Sequence, residues 1–169
     1  RVLYEISKSV NMTDDIVDLS EFIKSEIGRI IDTTNFYIAL YDKKNDTISL
    51  PFFADERDVF EEFPAKKTLT GYIIKTGEPL LARENDIKQL EKDGHIELVG
   101  SPSKVWLGIP LVVGSDVIGA VVVQSYENEN LYTEKDLEIL SFVSGQMALA
   151  LSRKENEKQI KESLHEKEV

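Results

Sequence analysis

Cysteine is absent from this chain of 169 residues. Its absence excludes disulfide bonds, zinc sites built on thiolates and thiol nucleophiles. Histidine is nearly absent too, because His95 and His165 are the only two and both lie in polar surroundings. Neither has a second histidine at helical spacing that would complete a metal site. We therefore predict no metal site, and we expect His95 to be solvated and not to bind haem.

Basic residues are in the minority, with 20 Lys and Arg against 31 Asp and Glu and a formal net charge of −11. A nucleic-acid surface requires a stripe of Lys and Arg, whereas here they are interleaved with acids. Apolar runs are also short: none approaches the roughly 18 residues of a membrane span, and there is no signal-peptide core. We predict a cytoplasmic protein without a nucleic-acid partner and without a membrane span in this segment.

The length of the chain and its 41% hydrophobic content suit a single domain with one core. Leu3, Ile6 and Val10 have helical spacing, and a second apolar stripe runs from Ile16 to Ile30, so we predict N-terminal helices within residues 1–32. The chain starts inside this helical pattern and without Met. We therefore expect it to be a piece of a longer protein.

Two pairs of apolar runs predict β-hairpins. Residues 36–41 and 47–53 flank a turn-prone segment, and residues 104–113 and 116–126 are joined by Gly114 and Ser115, a link too short for anything but a hairpin. Together these predict an α+β fold in which residues 34–126 form an antiparallel sheet of five or six strands, flanked by helices.

The residues between the two hairpins carry weaker signals. A short helix is predicted to begin near Thr68 or Thr70 and to stop at Gly77, before a strand over residues 79–82. Residues 55–64 have neither the helix nor the strand period and are predicted to form a loop. Residues 84–103 are predicted to be a polar crossover with one helical turn from Asp86 to Lys92 that ends at Gly94.

A long C-terminal helix is predicted from residue 133, because Thr133 and Asp136 have capping-box spacing. Its apolar positions are dense up to Leu151 and sparse beyond Arg153, which is typical of a solvated helix or a thin coiled-coil seam. Such a helix alone is marginal, so we predict pairing with a second copy, with a frayed tail as the alternative. We place the end of the domain at residue 152 and assign residues 153–169 to a helical linker.

Several short motifs recur in an order that resembles a GAF domain. Residues 69–81 read LTGYIIKTGEPLL, residues 106–111 WLGIPL, residues 118–126 IGAVVVQSY and residues 132–137 YTEKDL. The resemblance covers residues 1–152 and is to members found in bacterial and archaeal signalling proteins. In addition, residues 163–169 (SLHEKEV) are similar to the connector that precedes the phospho-accepting helix in one class of sensor histidine kinases.

The resemblance implies a sensory module that binds a small molecule or dimerises through its terminal helices. It implies that the C-terminal helix relays the signal to an output domain in the same chain, here the histidine kinase of a two-component system. The segment itself is expected not to be an enzyme. Family members that attach bilins covalently or reduce methionine sulfoxide use cysteines, so neither chemistry is expected here.

Two alternatives to this interpretation remain open at the level of sequence. One is a GAF module without a ligand that only dimerises and spaces the neighbouring domains. The other is the sensory half of a diguanylate cyclase or of a transcription regulator. The sequence does not specify the ligand or any cofactor.

Candidate ligand contacts follow from strand alternation and from the resemblance. Tyr37, Ala39 and Tyr41 share one strand face, and aromatic walls with a few hydroxyl groups are typical of ligand cavities. The alternative is that these aromatic residues close a core face, which is the more typical role of a strand tryptophan or a buried, satisfied amide. The candidates are Tyr37, Tyr41, Phe52, Phe53, Thr70, Tyr72, Trp106 and Gln124.

Overall fold

The computed structural model describes residues 16–57 and 62–168. The first predicted helix, with Leu3, Ile6 and Val10, lies outside the described residues. The elements follow the chain as α1 (Ile16–Ile27), β1 (Phe36–Asp42), β2 (Thr47–Ala54), β3 (Glu62–Pro64), α2 (Leu69–Thr76), β4 (Leu80–Arg83), α3 (Glu84–Lys92), β5 (Val105–Val113), β6 (Asp116–Ser125) and α4 (Glu134–Glu168).

The strands form one six-stranded antiparallel sheet in the order β3-β2-β1-β6-β5-β4. Both predicted hairpins are present, and the α+β fold class is confirmed. Gly114, in the tight turn between β5 and β6, has a φ of 63°, a left-handed conformation that glycine adopts without strain. The central strands β1 and β6 join the two hairpins, so the sheet is continuous across the domain.

The prediction of a loop over residues 55–64 was wrong at its end, because β3 pairs with the start of β2. Phe63 lies opposite Ile48, and Glu62 and Pro64 lie opposite Ser49 and Thr47. A strand of three residues is too short to show an alternating pattern in the sequence. Its position is fixed by pairing with β2, which is a tertiary contact.

One face of the sheet packs against the terminal helices α1 and α4. Its buried residues include Phe36 and Ile38 of β1 and Val121 of β6, which share a core cluster with Ile23 of α1. The fully buried Tyr132 donates a hydrogen bond of 2.6 Å to the backbone oxygen of Asp32, and so ties the start of α4 to the end of the α1 segment. From α4 the cluster receives Leu140, Val143, Met147 and Ala148.

The opposite face of the sheet is covered by the short helices α2 and α3. Ile73 and Ile74 of α2 and Ile87 of α3 are buried against Trp106 and Val122 of the sheet. The predicted limits of α2 are confirmed: Thr68 caps its first turn by accepting a hydrogen bond from the Gly71 amide at 2.9 Å, and Gly77 ends it with a φ of 71°. Helix α3 has nine residues: it ends at Lys92 as predicted but begins at Glu84, two residues before the predicted start.

Helix α4 begins where the capping box predicts, because the Thr133 amide donates to the Asp136 carboxylate at 2.8 Å. It runs for 35 residues, or roughly 52 Å at 1.5 Å per residue. No helix in the described part of the chain is both long enough and apolar enough to cross a membrane.

Candidate functional site

A cavity of about 360 Å³ lies between the sheet, the start of α2 and the loop that follows α3. This volume is within the range of small-molecule sites, and most of the wall is aromatic or aliphatic. The apolar wall consists of Tyr37, Leu50, Phe53, Phe63, Leu69, Val99 and Trp106. The polar groups are Asp55, Thr68, Thr70, Ser101, Ser103 and Gln124, and Pro64 and the charged residues Lys66, Lys67 and Glu97 complete the lining.

A β-bulge in β2 decides which of its residues reach the cavity. Ile38 pairs with Phe52 but Leu40 pairs with Ser49, so Leu50 and Pro51 both lie opposite Ala39. The extra residue reverses the alternation, and Leu50 and Phe53 therefore both line the cavity. Proline is tolerated at a bulge because the local ladder is already interrupted.

The same bulge corrects the prediction that Phe52 contacts a ligand. Phe52 packs on the opposite face of the sheet, in the core beneath α1 and α4. Its ring meets that of Phe36 edge to face, with 5.9 Å between the centroids. Adjacent strand residues point to opposite faces, so Phe52 and Phe53 could not both line one cavity.

Tyr37 projects from β1 into the inner wall of the cavity. Its hydroxyl lies 2.6 Å from Thr70 Oγ1 on α2, so the two side chains bridge sheet and helix. Burial raises the pKa of Tyr37 to about 12, although hydrogen bonds from Thr70 and Trp106 act in the opposite direction. The phenol is therefore neutral at physiological pH and available as a hydrogen-bonding group.

Asp55, directly after β2, is the centre of a hydrogen-bond network on another wall. Its carboxylate accepts from Tyr126 Oη at 2.6 Å and from Gln124 Nε2 at 3.1 Å. Ser103 Oγ in turn donates to Gln124 Oε1 at 2.5 Å. The amide of Gln124, predicted to need partners at a buried strand position, is satisfied by these side chains. The network joins β2, β6 and the loop after α3, and so fixes their relative positions.

The cavity opens beside the loop that follows α3. Val99 in this loop is 64% exposed although it contributes to the lining. The loop is held at its start, where the Glu97 amide donates to the Lys67 carbonyl at 2.9 Å, and at its end, where the Lys104 amide donates to the Ser125 carbonyl at 2.8 Å. The segment between these two ties contributes Val99, Ser101 and Ser103 to the lining of the cavity.

Five of the eight predicted site residues meet in the cavity: Tyr37, Phe53, Thr70, Trp106 and Gln124. Tyr41 and Tyr72 line a separate cleft on the other side of the Ala65–Lys67 loop. Trp106 is only 2% exposed, so it belongs both to the core and to the wall. Asp55, Phe63, Ser103 and the loop after α3 were missed, because their positions depend on β3 and on long-range hydrogen bonds that have no periodic signal.

Residues 13–152 match the family model of the GAF domain. The chain belongs to this family. GAF domains are a regulatory and sensory fold in many signalling proteins, and they commonly dimerise. No curated protein matches the chain in sequence.

Solved structures of other proteins share the GAF fold with this domain. The GAF domain of a phosphoenolpyruvate-protein phosphotransferase from Coxiella burnetii is 12% identical, with a TM-score of 0.76 over 94% of this chain and 95% of that chain. Free methionine-R-sulfoxide reductase from Neisseria meningitidis, in complex with its substrate, is 15% identical, with a TM-score of 0.75 over 92% and 89%. A putative GAF sensor protein from Burkholderia vietnamiensis is 13% identical, with a TM-score of 0.72 over 90% and 92%.

Proposed function

We propose that this GAF domain is a non-catalytic sensory module of a cytoplasmic signalling protein. It binds a small molecule in the cavity and transmits the bound state through α4 to an output domain. The observation that carries the proposal is the cavity itself, with an apolar wall and a small set of hydroxyl, amide and carboxylate groups whose positions are fixed by hydrogen bonds. Because the chain lacks cysteine, the ligand is not attached through a thioether and is not reduced by a thiol.

Strand β5 provides a path from the cavity to α4. Trp106 lines the cavity, whereas its neighbours Val105 and Leu107 point to the opposite face and belong to the core cluster that contains α4. A ligand that moves Trp106 therefore displaces a strand on which α4 packs. Transmission through this path requires that α4 has two arrangements and that ligand binding shifts the equilibrium toward one of them.

Exposed apolar residues on α4 support dimerisation as part of the signal. Phe142 and Leu149 are 43% and 51% exposed and lie seven residues apart, Ile160 at 59% follows eleven residues after Leu149, and Leu164 at 56% follows four residues after that. Steps of four, seven and eleven residues return to nearly the same side of a helix, so these side chains form a narrow apolar stripe of the kind that pairs in coiled coils. The stripe fits a homodimer that brings two copies of an output domain together.

A histidine kinase is the output domain that the sequence of residues 163–169 favours, because of its similarity to a kinase connector. The sensory half of a diguanylate cyclase or of a transcription regulator would use the same cavity and helix. A module without a ligand would use only the helix. These candidates differ in the domain that follows α4, and in whether the cavity is ever occupied.

A thermal-shift screen against a panel of metabolites tests the proposal. For a ligand of the cavity, the stabilisation should increase with the logarithm of concentration above its dissociation constant. Tyr37→Ala should reduce the shift strongly, because it removes a wall and the bond to Thr70. Tyr41→Ala is the matched control, since Tyr41 lies on the same strand face but outside the cavity. Equal loss in both variants would favour the ligand-free spacer.

A further inference from the structure

A second cleft lies on the other side of the Ala65–Lys67 loop from the cavity. It has a volume of about 870 Å³ and is bordered by the β1–β2 hairpin, by α2 and by the turn after α3. Four of its lining residues are lysines: Lys43, Lys66, Lys67 and Lys75. We call this the basic cleft.

The charge of the basic cleft is opposite to that of the chain. The whole sequence carries a formal net charge of −11, yet among the described residues four lysines line this cleft against one carboxylate, that of Asp46. Asp46 Oδ1 already accepts a hydrogen bond of 2.7 Å from the Tyr41 hydroxyl. A concave surface with one sign of charge concentrates the field and attracts ions of the opposite sign.

The described part of the chain supplies no ion pair to the lysines of the cleft. Within residues 16–57 and 62–168, no carboxylate lies at ion-pair distance from Lys43, Lys66 or Lys75. The ammonium group of Lys67 donates to the backbone oxygen of Gly94, which is a neutral partner. All four lysines are exposed. Their mutual repulsion falls when an anion enters between them.

The backbone that carries these lysines is held in place. The Ala65 amide donates to the Asp46 carbonyl at 2.9 Å, and Thr68 Oγ1 donates to the Ala65 carbonyl at 2.7 Å. Lys67 itself has a φ of 63°, a left-handed conformation that is uncommon for a residue with a side chain. Hydrogen bonds on both sides therefore maintain a strained loop that directs two lysines toward the cleft.

We propose that the basic cleft binds a small soluble polyanion with linked phosphate groups, at a site separate from the cavity. Lysine ammonium groups bind phosphate oxygens as point charges, and several of them around one cleft suit a ligand with more than one phosphate. The size of the cleft suits a small molecule. The ring of Tyr72, which meets His95 edge to face at 5.4 Å, adds an aromatic wall.

Isothermal titration with inorganic tripolyphosphate at fixed ionic strength tests this inference. The test variant is Lys43→Gln/Lys75→Gln, because these two lysines line the cleft but not the cavity, whereas Lys66 and Lys67 line both. The control is Lys135→Gln/Lys161→Gln, which removes the same charge from exposed positions on α4. Unchanged unfolding midpoints establish that both variants are folded.

We expect saturable binding of one tripolyphosphate per chain in the wild type. The cleft variant should lose affinity by on the order of tenfold or more, because it lacks two of the four ammonium groups that bind the phosphate oxygens. The control should keep the wild-type affinity. Tyr37→Ala should also keep it, so failure of the cavity proposal and failure of this one are distinguishable.

Several results would overturn the inference. The first is the absence of saturable binding, and the second is an equal loss of affinity in the cleft and control variants. Displacement of tripolyphosphate by hexaglutamate at equal concentration would assign the cleft to an acidic peptide instead. Co-sedimentation with phosphatidylinositol bisphosphate vesicles, but no binding of soluble tripolyphosphate, would assign it to a membrane headgroup.

Discussion

Tyr37 links the chemistry of the cavity to the stability of the domain. Its pKa is raised to about 12 by burial, whereas a tyrosine in the unfolded chain ionises near pH 10. The stabilisation that comes from the neutral buried phenol is therefore complete below pH 10. It is lost as the pH rises from 10 to 12, because the unfolded state releases a proton that the folded state retains.

We predict that the free energy of unfolding of Tyr37→Phe decreases less steeply between pH 10 and 12 than that of the wild type. The variant starts less stable, since it lacks the hydrogen bond to Thr70, so the slopes and not the absolute values are compared. Urea unfolding at a series of alkaline pH values measures them. Tyr132, whose pKa is also raised by burial, contributes equally to both proteins. Parallel slopes would mean that the Tyr37 phenol does not resist ionisation.

Gly119 is required where β6 meets β1. A Cβ atom at this position would lie far inside van der Waals contact with the backbone oxygen of Ala39. The close neighbour is the backbone of the adjacent strand β1. Gly119→Ala should reduce the free energy of unfolding by about 1–3 kcal/mol, because a backbone cannot move aside as a flexible side chain can.

Gly145 provides the matched control for this substitution. Its added Cβ atom would meet nothing within 4 Å, and the residue lies in α4. Gly145→Ala should therefore stabilise the domain by about 0.5–1 kcal/mol through helix propensity. Chemical denaturation measures both variants, and the contact at Gly119 is refuted if they change stability in the same direction.

At the residue scale, the sequence was sufficient wherever simple alternation held. Tyr37, proposed from alternation, and Phe53, proposed from the family resemblance, both line the cavity, and their contact with a ligand stays a prediction. Alternation allows only one of the neighbours Phe52 and Phe53 to face the cavity, and the bulge at Leu50 and Pro51 decides which one. The bulge arises from the register of two strands, so the sequence of one strand does not reveal it. Asp55 was missed for a related reason, since its partners Gln124 and Tyr126 are 69 and 71 residues away.

At the scale of elements, local signals predicted the two hairpins, α2 and the start of α4. Each has its own turn or cap, such as Gly114 between β5 and β6 and Thr68 before α2. Strand β3 has no such signal. Helix α3 was predicted two residues too short, because its first turn is polar and carries no apolar signal. The buried Ile87 and the partly buried Leu90 pack the helix on the sheet.

Helix α4 is the element on which the signalling proposal depends. A helix turns by about 100° per residue, so one residue inserted between Ser152 and Ile160 rotates everything downstream, whereas seven inserted residues nearly restore the face. We predict that, in a longer protein that contains this domain, a single insertion abolishes or inverts regulation and seven residues restore it. The activity of the output domain, such as autophosphorylation, is the measurement. Equal tolerance of both insertions would reveal a flexible tether.

At the scale of the whole molecule, the domain presents one cavity face and one helix face on opposite sides of the same sheet. Strands β5 and β6 contribute residues to both, with Trp106 and Gln124 in the cavity and Leu107 and Val123 beneath the terminal helices. The sheet therefore joins a site of small-molecule size to a long helix that extends from the domain. This shared sheet is the physical basis for the proposal that ligand binding in the cavity affects α4.

Native mass spectrometry tests the central claim, occupancy of the cavity, most directly. The protein is incubated with a cell-free metabolite extract, and its mass is compared under native and denaturing conditions. We predict a discrete excess mass in the wild type and in Tyr41→Ala, which disappears on denaturation and is absent from Tyr37→Ala. If the wild type carries no excess mass, or if Tyr37→Ala retains it, the cavity is not the binding site of a small molecule.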